Sequence, residues 1–195
     1  QLNKSKLGAT EMDFKDPASY TDLSQGRIQH IDFHISVDFS TRMFDIEAKY
    51  QLREPAHGSL FLDSFRIDLK EANTNGRPLE WEFDPEDEIL GQRLQLKGFE
   101  GESTFALIFR TSPEARALQW LSANQTAGGN HPFLFSQCQA IHARSIFPCQ
   151  DSPSVRFTYS ADVEVPQELV AAMAAELIEV QEGKWTTFRF KMPQS

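Results

Sequence analysis

Long apolar runs, an excess of basic residues and a set of cysteines are all missing from this sequence, and each absence removes a class of protein. No apolar run approaches the roughly 18 residues that a spanning helix needs, so no membrane partner is expected. Lys and Arg number 19 against 28 Asp and Glu, a net charge of −9. That charge repels phosphate backbones, so no nucleic-acid partner is expected either. The two cysteines, Cys138 and Cys149, are too few for a disulfide framework or for a zinc site made of thiolates alone. They leave the compartment open, and a cytoplasmic location is the expectation. Ten glycines and ten prolines are scattered too widely for a low-complexity segment. The sequence begins at Gln1 with neither an initiator methionine nor an apolar signal region, so a preceding segment is expected to have been processed away or to lie outside it.

What is present is ordinary globular material, 195 residues of which 40% are hydrophobic and 24% charged. A chain of this size buries about 70% of its unfolded surface, enough for one core without staples. Its dominant pattern has a period of two, the mark of a strand with one buried face. Ile31, Phe33, Ile35, Val37 and Phe39 alternate with Asp32, His34, Ser36 and Asp38. After a turn over Ser40 to Met43 the parity inverts, with Phe44, Ile46, Ala48, Tyr50 and Leu52 apolar, so the two runs read as a hairpin. Shorter runs follow at Leu60 to Leu69, Leu79 to Phe83, Arg93 to Lys97 and Phe105 to Phe109. From Val155 to Val165 every odd position is apolar or aromatic. Leu177 to Val180 and Phe188 to Met192 flank Glu182-Gly183 as a last hairpin. Pro166 to Ala175 reads as a turn or short helix, and no segment predicts a long helix. Short strands separated by turns predict an all-β fold, most simply packed sheets in a sandwich, with residues 1–26 as an irregular amino-terminal segment and 27–195 as the domain. Leu118 to Phe135 breaks the rhythm and reads as a long irregular loop, where function tends to sit.

Most candidate chemistry dissolves on inspection. His30 and His34 share one strand face but lie about 13 Å apart at the usual strand rise, too far to chelate one ion between them. There is no His-Glu-x-x-His, because His57, His131 and His142 are followed by Gly58, Pro132 and Ala143. Cys138 and His142 sit at i and i+4 without a nucleophile turn, so a buried structural cysteine is the favoured reading. Asp84, Glu86, Asp87 and Glu88 read as a solvated acidic turn, with calcium binding the lesser alternative. The exception is SQCQAIHARSIFPCQDSP, Ser136 to Pro153. Gln137 and Gln139, two apart on an extended chain, would point to one side and offer acceptors and donors to both ends of a peptide. Satisfied turn and core polar groups are the competing reading of the same residues.

This segment, with Leu118-Gln119-Trp120-Leu121, His131-Pro132-Phe133-Leu134-Phe135 and the Val155 to Val165 run, resembles the amino-terminal domain of the zinc aminopeptidases that include aminopeptidase N and leukotriene-A(4) hydrolase. The similarity is nearest to the hydrolase branch and runs from about Arg27 to Met192. It implies a curved, saddle-like β-structure set against a thermolysin-like catalytic domain. It implies that Gln137, Cys138, Gln139 and Ala140 contact the first residue of a peptide through its free amino end. Gln139 stands where aminopeptidase N relatives carry a glutamate, while Arg144, Pro148, Asp151 and Pro153 look structural. The family's Gly-x-Met-Glu-Asn segment and its zinc helix are absent from these 195 residues.

The resemblance therefore implies a zinc aminopeptidase as the full-length protein. In that enzyme the zinc polarises the scissile carbonyl and its water beside a glutamate base, with no catalytic residue and no bound metal in this chain. The chain reads as a fragment, inactive alone, whose missing catalytic domain is its main partner. An exposed apolar patch is expected near the carboxyl end and near Gln139. The alternative is a freestanding β-sandwich module that binds a peptide or sugar without catalysis.

Overall fold

A computed structural model describes residues 16–194. In chain order the strands are β1 (Ile28–Asp38), β2 (Met43–Ser64), β3 (Asp68–Thr74), β4 (Arg77–Pro78), β5 (Glu80–Phe83), β6 (Gln92–Arg110), β7 (Leu118–Leu121), β8 (Phe133–Ser136), β9 (Thr158–Pro166), β10 (Glu176–Gln181) and β11 (Trp185–Lys191). The only helical pieces among the described residues are three 3-10 turns, Leu23–Gln25, Ala123–Gln125 and Ala143–Ser145. The fold is an all-β sandwich. Nine strands form one sheet in the order β10-β11-β9-β1-β2-β6-β3-β4, with β5 added beside β6, and β7 pairs with β8 in a separate hairpin.

The hydrophobic alternation translates directly into the main sheet. β1 and β2 pair antiparallel with Ile35 opposite Ile46 and Val37 opposite Phe44. β9 lies parallel to β1 on the other side, Phe33 opposite Ala161 and Ile35 opposite Val163. The inward face buries Ile31, Ile46, Ala48, Leu107, Phe109, Ala161 and Phe190. The outward face carries His30, hydrogen-bonded to Thr158 at 2.6 Å, and His34 beside Glu164 at 3.5 Å. The turn between β1 and β2 is closed by Asp38, whose carboxylate accepts the N–H of Ser40 at 2.8 Å and the hydroxyl of Thr41 at 2.7 Å. These bonds, led by the Ser40 hydroxyl, hold the Asp38 carboxyl down to about 2.

The expected strand boundaries need correction. The runs that begin at Phe44 and at Leu60 are not separate strands: β2 takes in Phe44–Leu52 and continues through Leu60 to Ser64, 22 residues in all, and β6 likewise joins Arg93–Lys97 to Phe105–Phe109 over 19. Pro55 and Gly58 read as a break because they interrupt alternation, yet they sit at register shifts where β2 bulges against β6. Gly98 and Gly101 take positive φ on the facing strand, which lets both strands bend at the same level. The bent pair ends in a second stretch, where Leu62 opposes Leu94 and Trp81 of β5 opposes Leu96. The strand read at Leu60 to Leu69 stops at Ser64, and the chain turns before β3. The Val155 to Val165 strand begins only at Thr158.

Leu118 to Phe135 is a further correction. Its ends are strands, Leu118 opposite Ser136 and Leu121 opposite Phe133, and only the middle is loop. Trp120 packs edge-on to Phe39 and Phe44, which anchors this hairpin to the end of the main sheet. Pro166 to Ala175 is turn and irregular chain, opened by the Leu169 N–H on the Pro166 carbonyl. Residues 1–15 of the expected amino-terminal segment lie outside the described residues, and 16–26 are irregular chain with a turn at Pro17–Ala18 and the 3-10 turn Leu23–Gln25.

Candidate functional site

Gln137, Cys138, Gln139 and Ala140 lie together immediately after β8, in the loop that leads to the 3-10 turn at Ala143–Ser145. Gln137, Gln139 and Ala140 are exposed and Cys138 is half-buried. The expected extended geometry is not found. The chain turns from Gln139 onward, the Cys138 carbonyl accepts the His142 N–H at 2.8 Å, and the Gln137 side-chain oxygen accepts the Gln139 N–H at 3.1 Å. Closing this turn uses one of the two lone pairs of the Gln137 amide oxygen, so Gln137 keeps its two N–H donors and one acceptor site. The Gln139 side chain makes no hydrogen bond to another described residue and retains both functions.

The setting of Cys138 disfavours its thiolate. Burial, reinforced by the Asp151 carboxylate, pushes its thiol above the usual range and so depletes the thiolate. Cys149 is buried and its thiol is pushed further up for the same first reason. Both cysteines are free.

Below the exposed loop lies a polar cluster that sequence reasoning found only in part. Arg144 is 2% exposed, a rarity for arginine unless every donor is used. Its Nε reaches Asp151 at 3.0 Å, Nη1 the Leu90 carbonyl at 2.7 Å and Nη2 the Ala18 carbonyl at 2.8 Å. The Arg144–Asp151 pair closes residues 144–151 into a clasp. Burial raises the Asp151 carboxyl above its ordinary value, and the Arg144 guanidinium pulls the other way without prevailing. Gly91 borders this region at φ +76°, and any Cβ there would meet the Ser64 carbonyl at 2.3 Å. Gln150 spans from the clasp to the start of β1, accepting the Ile28 N–H at 2.8 Å and donating to the Gly26 carbonyl at 2.7 Å. Tyr50 stacks on Phe105 and donates to the Pro148 carbonyl at 2.8 Å.

Asp63, absent from the sequence-level candidates, is fully buried and meets the clasp at its centre. Its carboxylate accepts the Asp151 N–H at 3.0 Å, the Ser19 hydroxyl at 2.5 Å and the Tyr20 N–H at 2.7 Å. No local pattern marked it: alternation with the buried Leu60 and Leu62 assigns position 63 to the opposite face, and only the packing of the strap and clasp over that face buries it.

The acidic turn is a solvated one held by its own pairs. Asp87 accepts the Ile89 and Leu90 N–H groups at 2.8 and 2.7 Å, and Glu86 pairs with Arg66 at 3.0 Å. Among the described residues no three His, Cys, Asp or Glu side chains converge to hold a metal ion. No helix among them is long and apolar enough to cross a membrane. Exposed large apolar side chains group on two elements, Phe133 and Phe135 on β8 and Leu177, Ile178, Val180 and Trp185 on the terminal hairpin, while Trp81, Ile89 and Val170 are exposed singly.

Comparison with known proteins fits this arrangement. Leukotriene A-4 hydrolase of Xenopus laevis is 37% identical over 187 residues, which cover 90% of this chain and 31% of that protein. Leucine aminopeptidase 2 of Neosartorya fischeri is 35% identical over 166 residues, covering 81% of this chain and 27% of that protein. The solved native yeast LTA4 hydrolase superposes with a TM-score of 0.85 at 30% identity, covering 94% of this chain and 29% of that one. An M1 zinc metallopeptidase from Deinococcus radiodurans shares the fold with a TM-score of 0.66 at 20% identity. The chain thus spans between about a quarter and a third of the length of the curated relatives it matches. Residues 25–195 match the family described as Peptidase M1 N-terminal domain, and the chain belongs to that family.

Proposed function

We propose that this chain is the substrate-pocket-forming amino-terminal domain, residues 27–195, of a zinc metallo-aminopeptidase that releases amino-terminal residues from peptides. The observation that carries the reading is the exposed Gln137–Ala140 loop, where the Gln139 amide is free and the Gln137 amide keeps its N–H donors, set over a buried hydrogen-bonded cluster. An uncharged amide oxygen at Gln139 accepts a hydrogen bond from a protonated α-amino group. The Gln137 donors face a carbonyl of the same peptide. Charged donors on neutral acceptors give the stronger class of hydrogen bond, which suits a site that counts residues from a free amino end.

Zinc belongs elsewhere in that enzyme. The described side chains offer no converging set of ligands, so the metal and its chemistry are assigned to the catalytic part and no step is routed through it here. That part is the main partner we infer. The apolar side chains of β8 and of the β10–β11 hairpin support a face packed against it, since exposed clusters of this kind mark interaction surfaces.

Gln139→Ala in the full-length enzyme tests the reading. It should lower kcat/KM for peptides with a free amino end by about tenfold, the equivalent of one charge-assisted hydrogen bond, chiefly through KM. Unchanged kinetics would remove Gln139 from the site.

A further inference from the structure

The exposed loop and the buried cluster are joined by an unbroken chain of hydrogen bonds. Asp63 exchanges both backbone bonds with Cys149, at 2.7 and 3.1 Å, and the Phe65 N–H donates to the Arg144 carbonyl at 2.9 Å, so the end of β2 and the residue that follows it hold the clasp at two points. The residue after Arg144 continues the path. Ser145 is fully buried, its hydroxyl accepts the Ala117 N–H at 2.9 Å and donates to the His142 carbonyl at 2.7 Å. The Ala117 carbonyl accepts the Gln137 N–H at 2.8 Å, while the His142 N–H reaches the Cys138 carbonyl. Both legs of the loop are therefore tied to the clasp, and the clasp is tied to Asp63.

Asp63 in turn is held from the opposite side. A carboxylate has about four lone-pair sites. Here Tyr20 N–H fills one oxygen, the Ser19 hydroxyl and the Asp151 N–H share the other, and the Arg144 Nη2 stands 3.8 Å from it. The donors of residues 19–20 come from a strap that also supplies the Ala18 carbonyl to Arg144. Three segments far apart in sequence thus meet on one buried side chain: the strap, β2 and the clasp.

We propose that Asp63 is a positioning residue for the Gln137–Ala140 loop, acting through the Arg144–Asp151 clasp and kept in register by the strap at residues 16–21. The inference rests on the reading of that loop as the holder of a free α-amino group. A buried ionic cluster is a poor source of stability compared with apolar packing, because desolvation offsets most of the attraction. Its directional bonds instead fix one arrangement of the groups it joins, and the group left exposed at the end of the path is the substrate-contact loop. A loop placed loosely by as little as 1 Å forfeits much of its grip on a ligand.

The test uses the full-length enzyme with Asp63→Asn and Ser19→Ala, and Leu96→Ala as a control that destabilises the core away from the clasp. The affinity readout is the ratio of inhibition constants for an aminoacyl amide and its desamino counterpart, which isolates the hold on the amino group. Amide hydrogen exchange over residues 137–142 reads the loop directly. Asp63→Asn should lower the affinity ratio about tenfold and Ser19→Ala about threefold, in line with lost bonds to a charged acceptor. Both should speed exchange over 137–142, neither should lower the ratio further in a Gln139→Ala background, and Leu96→Ala should leave it alone. Ser19→Ala deletes one oxygen and serves as the test if Asp63→Asn fails to fold. An unchanged ratio, an equal drop in the Gln139→Ala background, or an equal drop in Leu96→Ala overturns the proposal. If Gln139→Ala itself leaves the ratio unchanged, the α-amino reading falls, and exchange decides the tether separately: acceleration upholds it and unchanged exchange removes it.

Discussion

The main sheet and the clasp are both buried, and they are built on opposite principles. In the sheet, Leu62, Leu94, Leu96 and Leu107 are fully buried apolar side chains brought together by strand pairing. Their attraction is non-directional and scales with area removed from water. In the clasp, Arg144, Asp63 and Asp151 are held by directed bonds to partners as much as 126 residues away in sequence. The sheet tolerates exchange of one apolar shape for another, whereas the clasp tolerates almost nothing, since each lost partner strands a buried charge.

Substitutions separate these two regimes. Arg144→Met should cost the most, about 3–5 kcal/mol, because it leaves the buried Asp63 and the largely buried Asp151 carboxylates without a cation. Arg144→Lys should still cost about 2 kcal/mol, since an ammonium cannot reproduce the fork that reaches Leu90, Ala18 and Asp151 together. Denaturant unfolding reads both, and a loss below about 1 kcal/mol for Arg144→Met would erase the distinction. Leu96→Ala should cost about 2–5 kcal/mol while Leu96→Met costs under about 1.5, the signature of packing by shape alone. Tyr50→Phe sits at the border of the two regions. It should cost about 1 kcal/mol by leaving the Pro148 carbonyl without its donor, with the ring stack on Phe105 retained.

The smallest effect concerns acid. Asp38 has its carboxyl lowered from 3.8 to about 2, so the stability it contributes is present above pH 3.8 and is lost as pH falls toward about 2. For an exposed turn this amounts to under about 1 kcal/mol after solvent screening. Asp151 is raised by burial and has the opposite sign, its contribution fading as pH rises through its folded value. Thermal unfolding of Asp38→Ala should show a flatter profile between about pH 2 and 4 than the parent. An identical profile would mean the turn bonds are not formed in solution.

The same contrast explains what was legible in the sequence. Alternation revealed β1, β9 and β11 because one residue in two faces the core, a pattern local enough to read, whereas β10 is exposed throughout and was marked only by the turn it shares with β11. It misplaced the joins in β2 and β6, where Pro55 and Gly98 look like ends but are bulges stabilised by the facing strand. The β7–β8 hairpin was hidden because each strand is four residues long and its anchor, Trp120, packs on aromatic residues from another hairpin. The loop residues Gln137 to Ala140 were found through resemblance, whereas Asp63 and Ser19 carry no local pattern. Their partners lie 44 residues apart in sequence, and only folding brings them within bonding distance.

The central claim is that this domain's loop grips the amino end of a peptide. It is tested most directly by a crystal structure of the full-length enzyme with a dipeptide amide bound. The account predicts the peptide α-amino nitrogen about 3 Å from the Gln139 side-chain oxygen, with the clasp unmoved. An amino group bound with no contact to Gln137–Ala140 would contradict it.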